Sequence, residues 1–130
     1  FEARMVQVKI NKSNSNFFNG MEGSQLLVPV NHGEGKMIFP EHVSAKKIIS
    51  DNLVPMQFCT NKGIEAKEFP ENPNGSTNGI TAVTNDDGRF LIMMPHPERS
   101  FLNNQLSWTN EKGKHSPWFK LFLNARNFYS

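Results

Sequence analysis

Residues 89–99 read RFLIMMPHPER, an apolar run that ends in a stiff polar turn. The apolar part predicts a strand, and the preceding NDDG suits a tight turn from a second strand at 80–84. Pro97 favours an extended backbone at the residue before it, and residues i and i+2 of an extended segment project from the same side. We therefore expect His96 and Glu98 to be neighbours just beyond the end of a strand.

A carboxylate beside an imidazole accepts a hydrogen bond from one ring nitrogen and leaves the other nitrogen free to act as a base. This is the orienter and base of a nucleophilic triad, and α/β proteins place such chemistry beyond the carboxyl ends of strands. The alternative interpretation is a proline-stiffened surface turn that contains an incidental histidine. The spacing alone leaves both interpretations open.

A triad also needs a nucleophile, and the chain has a single cysteine, Cys59. It lies in the apolar run LVPMQFC, and no glycine flanks it to form the sharp elbow that exposes a nucleophile. We expect Cys59 to be a buried thiol with a raised pKa and no catalytic role.

The rest of the chain alternates between strand-like and helix-like segments. Strands are predicted at 2–10 and 25–30, and the segments at 53–59 and 64–70 are predicted to pair as a hairpin. This pattern predicts a fold of mixed α and β structure that is richer in strands than in helices.

Two helices are predicted. One begins near Pro40 and has an apolar face formed by Val43, Ala45, Ile48 and Ile49. The other covers 116–128, with Ser116 as its cap and Pro117 in the first helical position; its apolar face consists of Trp118, Leu121, Phe122 and Ala125. Residues 100–115 have no periodicity and are predicted to be a mobile loop.

Composition limits the protein class. The 130 residues include 14 Lys+Arg and 12 Asp+Glu, which gives a net charge of +2 and argues against a nucleic-acid or membrane surface. The length suits one domain, and no apolar run approaches the roughly 18 residues that cross a bilayer. With no signal peptide and a single cysteine, we expect a cytoplasmic protein.

The segment NHGEG at 31–35 is a second candidate site. Its two glycines allow the backbone to approach a ligand closely and to offer N–H groups to an anionic group. A plain turn between strands is the alternative. A metal site built from His32 and Glu34 together with His96 and Glu98 is not expected, because structural zinc usually takes cysteine or several histidines at tighter spacing.

Several segments, in order along the chain, resemble the C-terminal class I glutamine amidotransferase domain of the phosphoribosylformylglycinamidine synthase family. They are FEARMVQVKI, FFNGMEGS, VNHGEG, FPENPNGS, MMPHPERS and SPWFKLFLNAR. GMEGS and the SPW block are similar to the large single-chain form of the synthase. The resemblance implies a three-layer α/β domain with a mixed sheet, of which this chain would hold the later strands and the final helix.

The resemblance also implies roles for particular residues. In this family a cysteine attacks the side-chain amide of glutamine, a thioester forms, and the released ammonia passes to an ATP-dependent site. His96 would be the general base and acid, and Glu98 would orient it. Glutamine would be held by Asn31, Gly33 and Glu34. No cofactor is implied for this segment, whereas ATP and Mg²⁺ are implied for the synthetase part.

One departure from the family pattern affects the expected activity. The nucleophile elbow of the family precedes the residues that match Phe1, so residues 1–130 are expected to be the C-terminal part of a glutaminase domain. Such a segment alone would be inactive, and its partners would be glutamine, the upstream half of the domain and the synthetase domain. The alternatives are the glutaminase of another ammonia-using synthetase, a non-catalytic α/β binding module, and a metal-dependent hydrolase.

Overall fold

The computed structural model describes residues 2–105 and 113–130, which form one five-stranded sheet and two α-helices. The strands are β1 (Glu2–Ile10), β2 (Gln25–His32), β3 (Met56–Phe58), β4 (Ile80–Thr84) and β5 (Leu91–Met93). The helices are α1 (Ala45–Ser50) and α2 (Phe119–Tyr129). The order across the sheet is β2-β1-β3-β4-β5, and each neighbouring pair is antiparallel.

The mixed α and β architecture expected from the sequence is therefore confirmed. All four strand pairings of the described residues are antiparallel, whereas the resemblance implies a mixed sheet for a whole domain. No helix among the residues that the structure describes has both the length and the apolar character to cross a membrane.

The longest pairing joins β1 to β2, with a register that runs from Glu2 opposite His32 to Lys9 opposite Gln25. Alternate residues of β1 are buried, as expected for a strand with one face on the core. β2 ends two residues later than predicted, because its pairing with β1 continues through Asn31 to His32.

The core lies between one face of the sheet and the segment that carries α2. Its members are the buried apolar residues Val6, Val8, Ile10, Phe18, Met21, Val28, Val30, Met56, Phe58, Ala66, Ala82, Trp118 and Leu121. Burying each large side chain of this set contributes roughly 1.5–3 kcal/mol. The indole of Trp118 also donates to the Leu27 carbonyl of β2 at 2.7 Å, which ties the start of the helical segment to the edge of the sheet.

The predicted hairpin between 53–59 and 64–70 forms only next to its turn, where the Thr60 N–H donates to the Ile64 carbonyl at 2.9 Å and the Ala66 N–H donates to the Phe58 carbonyl at 3.0 Å. Only β3 is a strand, and the second segment contributes one isolated bridge, from Cys59 to Glu65. β3 pairs with β1 on one side, and on the other side β4 pairs with Met56 and Gln57, so only Phe58 remains to pair with the second segment.

Both helices exist but begin later than predicted. α1 starts at Ala45, because Ser44 is its cap and its Oγ accepts a hydrogen bond from the Lys47 N–H at 3.3 Å. The predicted apolar face of α1 is only half-buried, and no residue within the helix is fully buried.

α2 starts at Phe119 and runs to Tyr129. Ser116 still acts at its entrance, since its Oγ accepts from the Trp118 N–H at 3.2 Å, but the turn it forms precedes the regular helix. In the segment predicted to be a mobile loop, residues 103–105 form a short 3-10 turn, and residues 106–112 lie outside the described part.

Candidate active site

The turn that follows β5 brings His96 and Glu98 together. The His96 Nδ1 lies 2.7 Å from the Glu98 Oε1, a hydrogen bond that the ring donates and the carboxylate accepts. About a third of the His96 side chain and half of the Glu98 side chain are exposed, so the pair lies at the surface of this chain.

The contact between these two side chains was expected, but the backbone makes it in another way. Residues 97–99 form a single 3-10 turn instead of continuing an extended strand, and only His96 retains non-helical angles (φ −113°, ψ 74°). The Arg99 N–H donates to the His96 carbonyl at 3.0 Å and closes the turn. Pro97 suits the first position of such a turn, because its φ is already fixed near −65°.

The turn is held against β2 by its own backbone. The His96 N–H donates to the Pro29 carbonyl at 2.8 Å, and the flanking Pro95 and Pro97 are both buried. The backbone of His96 is therefore attached to β2, and its imidazole is oriented by the Glu98 carboxylate. Its Nε2 has no hydrogen-bond partner among the described residues, which leaves that nitrogen free to accept a proton.

The second candidate segment lies at the end of β2, beside the first. Asn31 and His32 are the last two residues of the strand and are half-buried, whereas Gly33 and Glu34 form the exposed bend that follows. The structure thus places the three predicted glutamine-binding residues, Asn31, Gly33 and Glu34, on a single turn next to the strand that supports His96.

His32 is the most constrained side chain of this turn. The Asn74 Nδ2 lies 2.9 Å from its Nδ1 and 3.0 Å from its Nε2. On the other side its ring lies against Gly35, where an added Cβ would overlap the imidazole. The ring is thus enclosed between an amide and a glycine.

The electrostatics of His32 favour its neutral form. Partial burial is the largest effect and lowers the pKa of the His32 imidazole. The Glu2 carboxylate opposes this shift, and the positive charge of His96 adds to it.

A third segment, at 72–77, completes the site and was not assigned to it by sequence reasoning. Its composition is typical of a loop, but no spacing rule links Asn74 to a histidine 42 residues earlier in the chain. The signal in the sequence was limited to the density of asparagine, proline and glycine in FPENPNGS.

Cys59 lies away from this cluster, in the sheet. Its side chain is 1% exposed, and burial raises the pKa of its thiol, an effect that the nearby Lys9 only partly offsets. A protonated, buried thiol is a poor nucleophile, which agrees with the structural role expected for this residue.

The positions of the possible metal ligands also bear on the metal-dependent alternative. Across residues 2–105 and 113–130, no group of three or more His, Cys, Asp or Glu side chains is arranged to hold a metal ion. The two histidines of the site instead have an amide and a carboxylate as their nearest partners.

Comparisons with known proteins identify the family and the fold. The chain matches the CobB/CobQ-like glutamine amidotransferase domain over residues 1–129. Its fold is similar to that in a solved structure of PurLQS from Thermotoga maritima, with a TM-score of 0.67 and 22% sequence identity. That similarity covers 99% of this chain and 48% of the other, so the chain spans about half the length of the protein it matches.

These findings confirm the expected family and fold class. The fold likeness agrees with a class I amidotransferase architecture, and the family match extends over both candidate segments, the turn at 31–35 and the turn at 96–99. The chain belongs to the CobB/CobQ-like glutamine amidotransferase domain family.

Proposed function

We propose that this chain supplies the base, the orienting carboxylate and part of the glutamine pocket of a glutaminase. The observation that carries the proposal is the 2.7 Å hydrogen bond between His96 and Glu98 in a member of an amidotransferase family. A carboxylate on Nδ1 fixes the ring orientation and stabilises the imidazolium that forms when Nε2 takes up a proton.

In the proposed reaction, His96 Nε2 removes the proton from the thiol of a cysteine in the rest of the glutaminase domain. The thiolate attacks the side-chain amide carbon of glutamine, and the carbon–nitrogen bond breaks as His96 returns the proton to the leaving nitrogen, which departs as ammonia. Water, deprotonated by the same imidazole, then attacks the thioester and releases glutamate and the thiol.

Glutamine would be held by the turn after β2. Gly33 and Glu34 are exposed, and Asn31 is half-buried beside the strand that supports His96. Backbone N–H groups of a glycine-containing turn suit the α-carboxylate of an amino acid, and the Glu34 carboxylate suits its ammonium group.

The finer proposal concerns the use of the ammonia. The sequence blocks GMEGS and SPWFKLFLNAR favour phosphoribosylformylglycinamidine synthase, and the fold likeness to PurLQS agrees with them. The ammonia would convert formylglycinamide ribonucleotide to the formylglycinamidine in the cytoplasm, as a step of purine biosynthesis. ATP and Mg²⁺ would act in the synthetase part of this carbon–nitrogen ligase and not in this chain.

The test is His96→Ala in the complete enzyme, assayed separately with glutamine and with added ammonia. We expect glutamine-dependent synthesis to fall by about 10²- to 10⁴-fold, the contribution of a general base, while ammonia-dependent synthesis is retained. His42→Ala is the matched control, because His42 is exposed and lies outside the site. Equal loss of both activities would show that His96 has only a structural role.

A further inference from the structure

The segment at 72–77 is fixed from within by a buried asparagine. Asn72 is 1% exposed, and its Nδ2 donates to the carbonyls of Ala66 at 3.2 Å and Ser76 at 2.9 Å. Its Oδ1 accepts from the Ser76 N–H at 3.0 Å. These contacts satisfy the polar groups of the buried amide, so the loop has a defined shape despite its turn-rich composition.

The same segment also holds the chain that follows the turn at 31–35. The Met37 N–H donates to the Ser76 Oγ at 3.0 Å, and the Thr77 N–H donates to the Met37 carbonyl at 3.1 Å. The turn is therefore fixed at both ends, at His32 by the pairing of β2 with β1 and at Met37 by the segment at 72–77.

Between these two anchors, one side chain reaches into the turn itself. The Asn74 Nδ2 lies within 3.0 Å of both ring nitrogens of His32. The amide nitrogen can donate to whichever ring nitrogen carries no proton, so the contact fits a neutral imidazole. Partial burial favours the same neutral form, because it lowers the pKa of His32.

Gly35 sets the other limit on the ring. A Cβ at this position would overlap the imidazole, so only glycine lets the backbone fold back against His32. The ring thus lies against both Gly35 and Asn74, which are the two contacts that limit its position.

We propose that Asn74 is a positioning residue for glutamine, which acts by holding the His32 ring and thereby the shape of the turn at 31–35. The inference rests on the proposed function, because that turn is the proposed glutamine site. Asn74 touches His32 and not the reacting atoms, so its effect belongs to glutamine binding and not to proton transfer at His96.

The test is Asn74→Ala in the complete enzyme. We expect the KM for glutamine to rise roughly two- to tenfold, the worth of one hydrogen bond, with kcat and ammonia-dependent synthesis unchanged. Asn61→Ala, at an exposed position outside the site, is the matched control and should leave the KM as it is.

Two further variants separate positioning from a general loss of folding. His32→Ala should raise the KM by a similar factor, and the double variant with Asn74→Ala should be no worse than either single variant, because both remove the same contact. Gly35→Ala should give the same rise in KM by displacing the ring. A multiplicative double variant, or a fall in ammonia-dependent synthesis for Asn74→Ala, would overturn the inference.

The outcomes also distinguish this inference from the proposed function. If His96→Ala abolishes glutamine use while Asn74→Ala leaves the KM for glutamine unchanged, the positioning role is wrong and the glutaminase assignment stands. If His96→Ala leaves glutamine use intact, the glutaminase assignment itself is wrong.

Discussion

The two turns of the site each present a histidine, and the two histidines have opposite partners. His96 donates to a carboxylate at 2.7 Å, whereas His32 receives a hydrogen bond from an amide at 2.9–3.0 Å. A carboxylate stabilises the charged imidazolium, and an amide donor fits the neutral ring. The Glu98 carboxylate therefore suits His96 to proton transfer, and the Asn74 amide suits His32 to a structural role in its turn.

The two rings also differ in how their backbones are held. His96 is fixed through its own N–H to Pro29 and through a closed 3-10 turn. His32 is the last residue of β2 and is fixed by strand pairing and by a loop that comes 40 residues later in the chain. Because the two histidines are held differently, substitutions near them should affect the reaction with glutamine, the stability and the pKa of His32 separately.

The largest effect is expected at the carboxylate of the first turn. Glu98→Gln keeps an oxygen that accepts from Nδ1 but removes the charge that stabilises the imidazolium, so glutamine-dependent synthesis should fall by roughly 10²- to 10⁴-fold. Steady-state assays with glutamine and with ammonia measure it, and Glu41→Gln, at an exposed position, is the control. If Glu98→Gln left glutamine-dependent synthesis unchanged, the charge of the carboxylate would not distinguish the role of His96 from that of His32.

The next largest effect is expected at Trp118, which bonds to β2, the strand that contacts both turns. Trp118→Phe removes the donor to the Leu27 carbonyl of β2 and leaves a gap in the core, so the free energy of unfolding should fall by about 1–3 kcal/mol. Urea unfolding of the complete protein followed by circular dichroism measures it. Phe128→Leu, at an exposed position, should change it by less than about 0.5 kcal/mol.

Kinetics of the same variant sharpen the comparison. The indole of Trp118 bonds to Leu27 of β2 and to neither turn. Molecules of Trp118→Phe that remain folded should therefore have an unchanged KM for glutamine and an unchanged kcat. A selective change in one of these two constants would show that the helix and sheet junction acts on one turn alone.

A smaller effect is expected in the titration of His32. Its pKa is lowered by folding, so its contribution to stability is fully present above the unfolded pKa of about 6.5 and is lost as the pH falls through the lower folded value. Asn74→Asp places a carboxylate beside the ring and should raise the pKa of His32. NMR of the imidazole protons against pH measures the pKa of His32 in the unchanged protein and in Asn74→Asp. The His32→Gln variant assigns the resonance.

A downward shift in the Asn74→Asp variant would contradict the contact between the two side chains. The charged groups that face His32 are Glu2, whose carboxylate raises the pKa of the imidazole, and His96, whose charge lowers it. The variant should therefore be compared at constant ionic strength, since all of these charge effects are screened by salt.

The smallest effect on the kinetics is expected at Cys59. Burial raises the pKa of this thiol, so Cys59→Ser should leave the kinetics with glutamine unchanged and lower the stability by only about 1–3 kcal/mol for the buried hydroxyl. A glutamine-like electrophile should label the complete enzyme at another cysteine, which mass mapping of the adduct would identify. Label on Cys59 would show that Cys59 is the nucleophile and would contradict its structural role.

The sequence predicted those parts of the fold and the site that depend on local patterns. Alternating apolar residues predicted β1, the Asp-Gly turn predicted the pairing of β4 with β5, and the spacing of His96 and Glu98 predicted their contact. In each case the residues that interact are close in sequence or repeat with the period of a strand.

The parts that were missed depend on partners far along the chain. The segment at 64–70 has the composition of a strand, but β1 and β4 occupy both edges of β3. Asn74 resembles any loop asparagine until the fold brings it to His32, and the late start of α1 depends on whether Ser44 or Pro40 begins the helix. Local propensity does not decide such competitions.

The hydrogen bonds that hold the His96 turn and Trp118 have a consequence for the solubility of the domain. β2 is an edge strand, and such an edge normally offers free N–H and C=O groups to strands of other molecules. Its carbonyls at Leu27 and Pro29 already accept from the indole and from His96, and Pro29 has no N–H to offer. The contact that places the proposed base and the contact of the indole thus occupy two carbonyls that a strand of another molecule would need, which makes this edge a poorer template for strand addition.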